Sequence, residues 1–517
     1  MSIVLNQSES DRSSPPASLE SDSLVSGLSF MLFANVFQRG LGFIRNIAIC
    51  RFLVDEQLGL WALATSFFIL AAPLAALGLP GTFGRLVSTY RASGQLQVFL
   101  RRIALGSSVG ALAFVSYLVL APVNASSLIF GVELSRSTMS LLAVTLCFVI
   151  LFNASTEFLG GLRKPRLVSA MHTCNSMVFT LASLVGVLCF SDWRTLVAAT
   201  AIASVAGLVP AIVAMRSWRF NDLPTRVSMV SNREMWKRVL PFAASIWCMN
   251  LLVNLFDVVD RYMIMHLATE TVEQGRALVG QFHSGRIMPM LLSSLSLMLS
   301  GILLPYLAAD WEAGHHDKVA NSQRLTLKCA SLFFFALSVA SMAVAPLLFH
   351  SILQGKYTDG LAIMPQAMLH CCFAALAVLM QNYFWCAERG RTVGIIVAIG
   401  LVLNVALNAW WVPMWGLRGA MTATSVSGAA ILSLTLLEMS RSGVRLGKGT
   451  IWFCLLPISI LLGTVPAACL LATFCFVTGR TNWLLSMEEK RTIDLAITSK
   501  LQGFGLPIQS IWSIPNR

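Results

Sequence analysis

The chain has 517 residues, of which 56% are hydrophobic and only 12% charged, with a formal net charge of +13. Soluble domains carry about 25% charged residues, so this balance excludes a soluble enzyme or a nucleic-acid-binding module and predicts a polytopic membrane protein. The apolar segments are long runs without period-two alternation, which predicts membrane helices and excludes a barrel.

Residues 1–23 are polar, rich in Ser, Asp and Glu, and interrupted by Pro15 and Pro16. They read as a disordered cytoplasmic tail, since they lack the basic start and short apolar core of a signal peptide. Twelve spans are predicted near 24–45, 58–79, 103–122, 138–162, 167–191, 195–215, 239–267, 279–307, 329–349, 361–387, 392–413 and 416–437. The even-numbered loops hold most of the Lys and Arg between these spans. Those charges place the even-numbered loops and the N-terminus in the cytoplasm and account for the basic balance without nucleic acid.

The first span contains FQRGLGFIR at residues 37–45, where Arg39 interrupts the apolar run. Arg45 lies six residues on, roughly 9 Å along a helix axis, where ordinary snorkelling to the interface is an equally good account of it. The central loop 216–238 carries Arg216, Arg219, Arg226, Arg233, Lys237 and Arg238 and divides the chain into six-helix lobes at 24–215 and 239–440. At an offset of 224, Ala121 and Pro122 match Ala345 and Pro346, Gly131 matches Gly355, Arg194 matches Arg418, and Ala199 and Thr200 match Ala423 and Thr424. An internal repeat of six spans runs in the same direction twice, so the expected pseudo-two-fold lies along the membrane normal, with a cleft between lobes.

Spans seven and eight carry Asp257, Asp260, Arg261 and Arg286 inside apolar runs. A charge at bilayer depth costs roughly 2.5–3.5 kcal/mol, so it persists where it meets a partner or a wet cavity. With the N-terminus inside, Arg39, Asp260 and Arg286 fall at one level, roughly 10 Å below the outer interface at 1.5 Å per residue. Arg39, Asp257, Asp260, Arg261 and Arg286 are therefore expected to line one polar chamber whose arginine excess suits an anion such as phosphate. The plainer alternative is that Asp257 or Asp260 neutralises Arg261 and Arg286 and staples two helices.

Beyond the basic loop with Arg441, Arg445 and Lys448, residues 451–478 form an additional membrane segment with Pro457 and Pro466, either one kinked span or a shallow hairpin. Residues 479–517 form a tail, with a modest amphipathic helix at 484–501. No cofactor is expected: GVRLGKGT at 443–450 has the wrong spacing for a phosphate loop, and His315 and His316 stand without a third metal ligand. The twelve cysteines form no CxxC pattern and read as packing residues.

Together, FQRGLGFIR with the following RFLVDEQLGLWALA, DVVDRYMIMHL, VGQFHSGRIMPM leading to LLPYLAADWEAG, APLLFHSILQGKY, and LNVALNAWWVPMWGLRGAMTAT carry a resemblance across 24–440. The sequence resembles the polysaccharide transporter branch of the multidrug/oligosaccharidyl-lipid/polysaccharide exporter superfamily, the O-antigen and exopolysaccharide repeat-unit flippases. That resemblance implies an all-α, two-lobed bacterial inner-membrane protein that is not an enzyme and moves a polyprenyl-pyrophosphate-linked oligosaccharide by alternating access. Its implied partners are that lipid-linked oligosaccharide, membrane lipids, a glycan polymerase and other assembly proteins. Arg39, Arg45 and Arg286 are similar in placement to the pyrophosphate-binding arginines of lipid II flippases, although Asn46 stands where those often carry an acid. Asp257 and Asp260 are the implied candidates for cation coupling or for holding Arg261. The alternatives are a cation-coupled multidrug antiporter, which favours acids in its cavity, a lipid II flippase, or a glycan ligase, which needs a larger outer loop.

Overall fold

The computed structural model describes residues 24–216, 231–447 and 449–503. The expected tail 1–23, most of the central linker, Lys448 and the last residues of the C-terminal tail lie outside the described residues. Eighteen α-helices are described: α1 (Leu24–Phe52), α2 (Asp55–Ala75), α3 (Phe83–Ala92), α4 (Leu96–Leu120), α5 (Pro122–Phe130), α6 (Arg136–Gly161), α7 (Pro165–Phe190), α8 (Trp193–Arg216), α9 (Asn232–Leu267), α10 (Val272–Gly285), α11 (Ile287–Glu312), α12 (His316–Leu347), α13 (Thr358–Ala362), α14 (Met364–Cys386), α15 (Gly390–Arg441), α16 (Thr450–Leu455), α17 (Thr464–Arg480) and α18 (Met487–Gly503). Ten of the described helices are long and apolar enough to cross a membrane.

Local chemistry sets several boundaries. Ser135 caps α6 by accepting from the Thr138 amide at 3.3 Å, while Pro122 and Pro165 occupy first turns, where a missing N–H costs nothing. α4 turns Leu105, Val109 and Leu112 outward on one stripe, the pattern of a helix that faces lipid on that side. α2 and α14 are the opposite case, apolar nearly all round and mostly buried, and they form the spine of the larger core. A smaller core joins α3, α4, α6, α7, α8 and the first half of α9.

Two predicted spans differ in shape from the expectation. The eighth is not a single helix: it breaks at Arg286, which closes α10 through its amide to the His283 carbonyl and leads into α11. The eleventh and twelfth are joined without a loop, because α15 folds back at Gly416 (φ 54°, ψ −129°). A Cβ on Gly419 would sit 3.1 Å from the Val412 nitrogen, so the two arms touch at once after the turn.

The positions matched by the 224 offset also share backbone geometry. Gly131 and Gly355 are both left-handed, at φ 63° and 71°. One residue further in register, Arg163 and Glu388 end α6 and α14 with φ 58° and 54°.

The segment after α15 is a hairpin. α16 and a 3-10 stretch (Leu456–Leu462) run in, Gly463 turns, and α17 runs back. Its two ends meet, since a Cβ on Gly449 would lie 3.1 Å from Leu484 Cα and the Trp452 and Trp483 rings are 5.8 Å apart. The 17 residues of α17 reach only about 26 Å at 1.5 Å each, short of the ~30 Å hydrocarbon core. The start of the tail thus lies beside the start of the hairpin, next to the basic loop at 441–447. α18 opens with a capping box, in which Glu489 accepts from the Ser486 amide at 2.9 Å and Ser486 Oγ accepts from the Glu489 amide at 3.2 Å. The Glu489 carboxylate then pairs with Lys328 at 2.8 Å and Arg324 at 3.0 Å on α12.

Candidate functional site

The charged residues singled out in spans one, seven and eight fall into three groups. The first is a cavity of about 540 Å³ between α1, α7 and α11. Arg39 and Arg45 both line it, together with Gln38, Asn46, His172 and Ser176. Arg45 is held in place: its guanidinium lies 4.4 Å from the Phe179 ring centroid and donates to Thr180 Oγ1 at 3.4 Å. Arg39 is exposed. Neither makes an ion pair among the described residues, and no carboxylate lines the cavity. Two fixed positive charges without counter-ions in a polar recess form an anion site by composition.

The second group is an ion pair at the helix break. Arg286 donates to Asp257 Oδ1 at 2.7 Å and to the Asp257 carbonyl at 3.4 Å, and its guanidinium lies 5.4 Å from the Phe282 ring. The Arg286 side chain is 11% exposed and that of Asp257 43%. Breaking the helix at residue 286 lets this side chain reach back to α9. The next residues, Ile287, Met290 and Ser294, line the cavity of the first group. Arg261, 2% exposed, points the other way and donates to Ser66 Oγ on α2 at 2.5 Å.

The third group surrounds Asp260, which is 1% exposed and makes no salt bridge among the described residues. Its carboxylate accepts from Asn408 Nδ2 at 2.7 Å and Thr424 Oγ1 at 2.6 Å, and Asn408 also donates to Asn404 Oδ1 at 3.0 Å. Asn404 Nδ2 donates to Thr424 Oγ1 at 3.3 Å, while Asn408 Oδ1 is buried without a partner. A carboxylate, two side-chain amides and a hydroxyl thus meet from α9 and both arms of α15, with Asn408 turning its nitrogen toward the carboxylate. Carboxylate, amide and hydroxyl oxygens are ligands that hard cations take.

The expected single chamber is therefore divided. Arg39 and Arg45 face the cavity, Arg286 and Asp257 pair at its edge, Arg261 is buried against α2, and Asp260 belongs to a separate cluster. Sequence reasoning missed His172, and it quoted the stretch containing Asn404 and Asn408 without giving them a role. Amides four residues apart in an apolar span were the available signal, since intramembrane polar groups need partners.

One end of the molecule is closed above the cavity. Arg276 pairs with Glu56 at 2.7 Å, Gln281 donates to Asp55 and to the Lys356 carbonyl, and Tyr357 donates to the Leu53 carbonyl at 2.9 Å. These contacts join α1 and α2 to α10 and to the segment that follows α12. All of them lie beside the odd-numbered loops.

Comparison with known proteins agrees with this architecture. Over 87% of its length the chain superposes on 98% of a lipid II flippase MurJ in an inward closed conformation (TM-score 0.66, 13% identity). Over 79% it superposes on 97% of an inward-facing multidrug resistance MATE family transporter of the MOP superfamily (TM-score 0.61, 14% identity). In sequence it is 23% identical over 436 residues to the membrane protein YabM of Bacillus subtilis (strain 168), covering 80% of this chain and 79% of that one. The profile of the family described as "Polysaccharide biosynthesis protein" matches residues 24–310. The chain is an all-helical, multi-pass membrane protein that belongs to the polysaccharide biosynthesis protein family and has the fold of the MATE and MurJ exporters.

Proposed function

We propose that the protein is a flippase that carries a polyprenyl-pyrophosphate-linked oligosaccharide, an O-antigen or exopolysaccharide repeat unit, across the bacterial inner membrane by alternating access. One observation carries the reading: Arg39 and Arg45 project into the same cavity with no carboxylate to neutralise them. Guanidinium binds phosphate through paired N–H groups and keeps its charge at any physiological pH. Gln38, Asn46, Ser176 and Ser294 supply neutral donors and acceptors for sugar hydroxyls. Arg286, locked to Asp257, acts as the hinge support of α11 and exposes its charge to cargo only when that pair opens.

The closed contacts of α2 with α10 support an inward-directed state, with the odd-numbered loops on the periplasmic side by the charge rule. Asp260, Asn404, Asn408 and Thr424 would hold a monovalent cation whose binding drives the return step. The unpartnered Asn408 oxygen is the observation that fits such an ion. A multidrug antiporter with cationic cargo is disfavoured by the lack of acids in the cavity.

Deletion of the gene followed by leaflet-resolved analysis of lipid-linked oligosaccharides tests the reading. Accumulation in the inner leaflet, restored by the wild-type chain and not by Arg39→Ala, is expected. Unchanged glycan export with altered drug resistance would overturn it, and accumulation of lipid II alone would reassign the cargo.

A further inference from the structure

A second cavity, of about 1320 Å³, lies outside the site above, between α3, the first half of α9 and the start of α15. One wall is apolar and includes Phe242 and Met249, and Trp385 stands at the rim. Three charged side chains also line it: Arg85, Arg391 and Glu388. Arg85 stacks at 5.2 Å over Phe242, which turns its guanidinium along the cavity wall. None of the three makes a salt bridge among the described residues. The neighbouring Arg389 does pair, with Glu438 at 3.5 Å, so ion pairing is available at this end and these three stand apart from it.

The position is specific. Trp385, Glu388, Gly390 and Arg391 line it where α14 meets α15, beside an even-numbered loop, on the side where the charge rule places the cytoplasmic headgroups. Aromatic and arginine side chains are favoured there. It also touches both halves of the chain, since Arg85 belongs to the first six spans and the other lining residues to the last six.

We propose that this cavity is a binding site for one aminophospholipid of the cytoplasmic leaflet, such as phosphatidylethanolamine. Its phosphate sits between Arg85 and Arg391, its ammonium on Glu388, and its acyl chains along the apolar wall. The carboxylate selects the lipid. Two guanidinium groups alone would accept any phosphate, whereas Glu388 repels a purely anionic headgroup and rewards one that also carries a cation. The same carboxylate makes the cavity a poor place for a polyprenyl pyrophosphate, so the lipid bound here is distinct from the cargo. A lipid that bridges α3 to α9 and α15 would favour the arrangement in which those helices lie close.

The test is native mass spectrometry of the full-length, delipidated protein titrated with phosphatidylethanolamine or phosphatidylglycerol. Wild type is expected to bind the amine lipid about tenfold more tightly, the fold-change of one charge-assisted hydrogen bond. Glu388→Gln should remove the preference while phosphatidylglycerol binding is kept or rises. Arg85→Gln with Arg391→Gln should weaken both lipids by about tenfold, with thermal unfolding as the folding control. Equal binding of the two lipids by wild type, a preference unaffected by Glu388→Gln, or displacement of phosphatidylethanolamine by undecaprenyl phosphate at equal concentration would each overturn the proposal. If the variants fail to fold, the wild-type comparison decides alone.

Discussion

Gly59 on α2 and Gly280 on α10 face each other at the closed end of the molecule with no room for a side chain between them. A Cβ on Gly280 would stand 3.1 Å from the Gly59 nitrogen and also press on the Asp55 carbonyl, and one on Gly59 would stand 3.2 Å from the Gly280 nitrogen. Backbone-to-backbone contact of this kind is how small residues hold membrane helices together.

Gly280→Leu should therefore force α2 and α10 apart and hold the outer end open. Overpacking of such a contact costs about 1–3 kcal/mol. Transport should fall at least tenfold while insertion is unchanged. Spin labels on α2 and α10 should report a longer separation than in wild type, and an unchanged distance would refute this account of the gate.

Arg39 and Arg286 should separate by phenotype. Arg39→Ala removes an exposed, unpaired charge, so it should abolish transport with thermal stability within about 0.5 kcal/mol of wild type. Arg286→Ala leaves Asp257 unpaired and should cost about 1–3 kcal/mol, between the cost of an exposed pair and that of a fully buried one because Asp257 is partly open. Combining it with Asp257→Asn should recover most of that loss. Thermal unfolding of the three purified variants is the check, and equal stabilities would place Arg286 among the unpaired arginines.

Asp260→Asn should remove dependence on the driving cation while the protein folds, because a neutral amide still hydrogen-bonds to Asn408 and Thr424. Sodium- and lithium-dependent thermal shifts are the measurement. A shift retained in the variant would place the cation elsewhere.

Docking of α18 should depend on pH in one direction. Burial alone would raise the Glu489 carboxyl, but the hydrogen bonds from Lys328 and the Ser486 amide, with the charges of Lys328 and Arg324, hold it below the ordinary glutamate range. A group whose folded value is depressed stabilises above its unfolded value and loses that contribution as pH falls through the folded one. The tail should stay docked from neutral pH down to about 4.5 and release progressively below that value. Lys328→Met should release it at neutral pH, as read by protease cleavage after residue 480 in nanodiscs.

Much of the architecture was legible in the sequence because a bilayer leaves few options: every backbone group must be satisfied internally, so long apolar runs become helices. Charge in the loops and the 224 offset then order them. The site was less legible. Arg39 could be singled out because no local partner explained it, and in the structure it lines a cavity. Arg286 was placed in a straight helix, and a break of one residue redirected its side chain toward α9. The fate of Asp260 depended on Asn408 and Thr424, 148 and 164 residues away, and no local pattern encodes that proximity. The hairpin at 450–480 was one of two readings, and the meeting of Gly449 with Leu484 decided between them.

The turn at Gly416 leaves the arms of α15 no slack. Asn408 sits before it and Thr424 after it, both gripping one carboxylate on α9, and Asn404 ties the two to each other. If the proposed cation binds this knot, its loading or release tugs three membrane segments at the same instant, so the stroke would begin as one rigid jerk and not as a sequence of independent shifts.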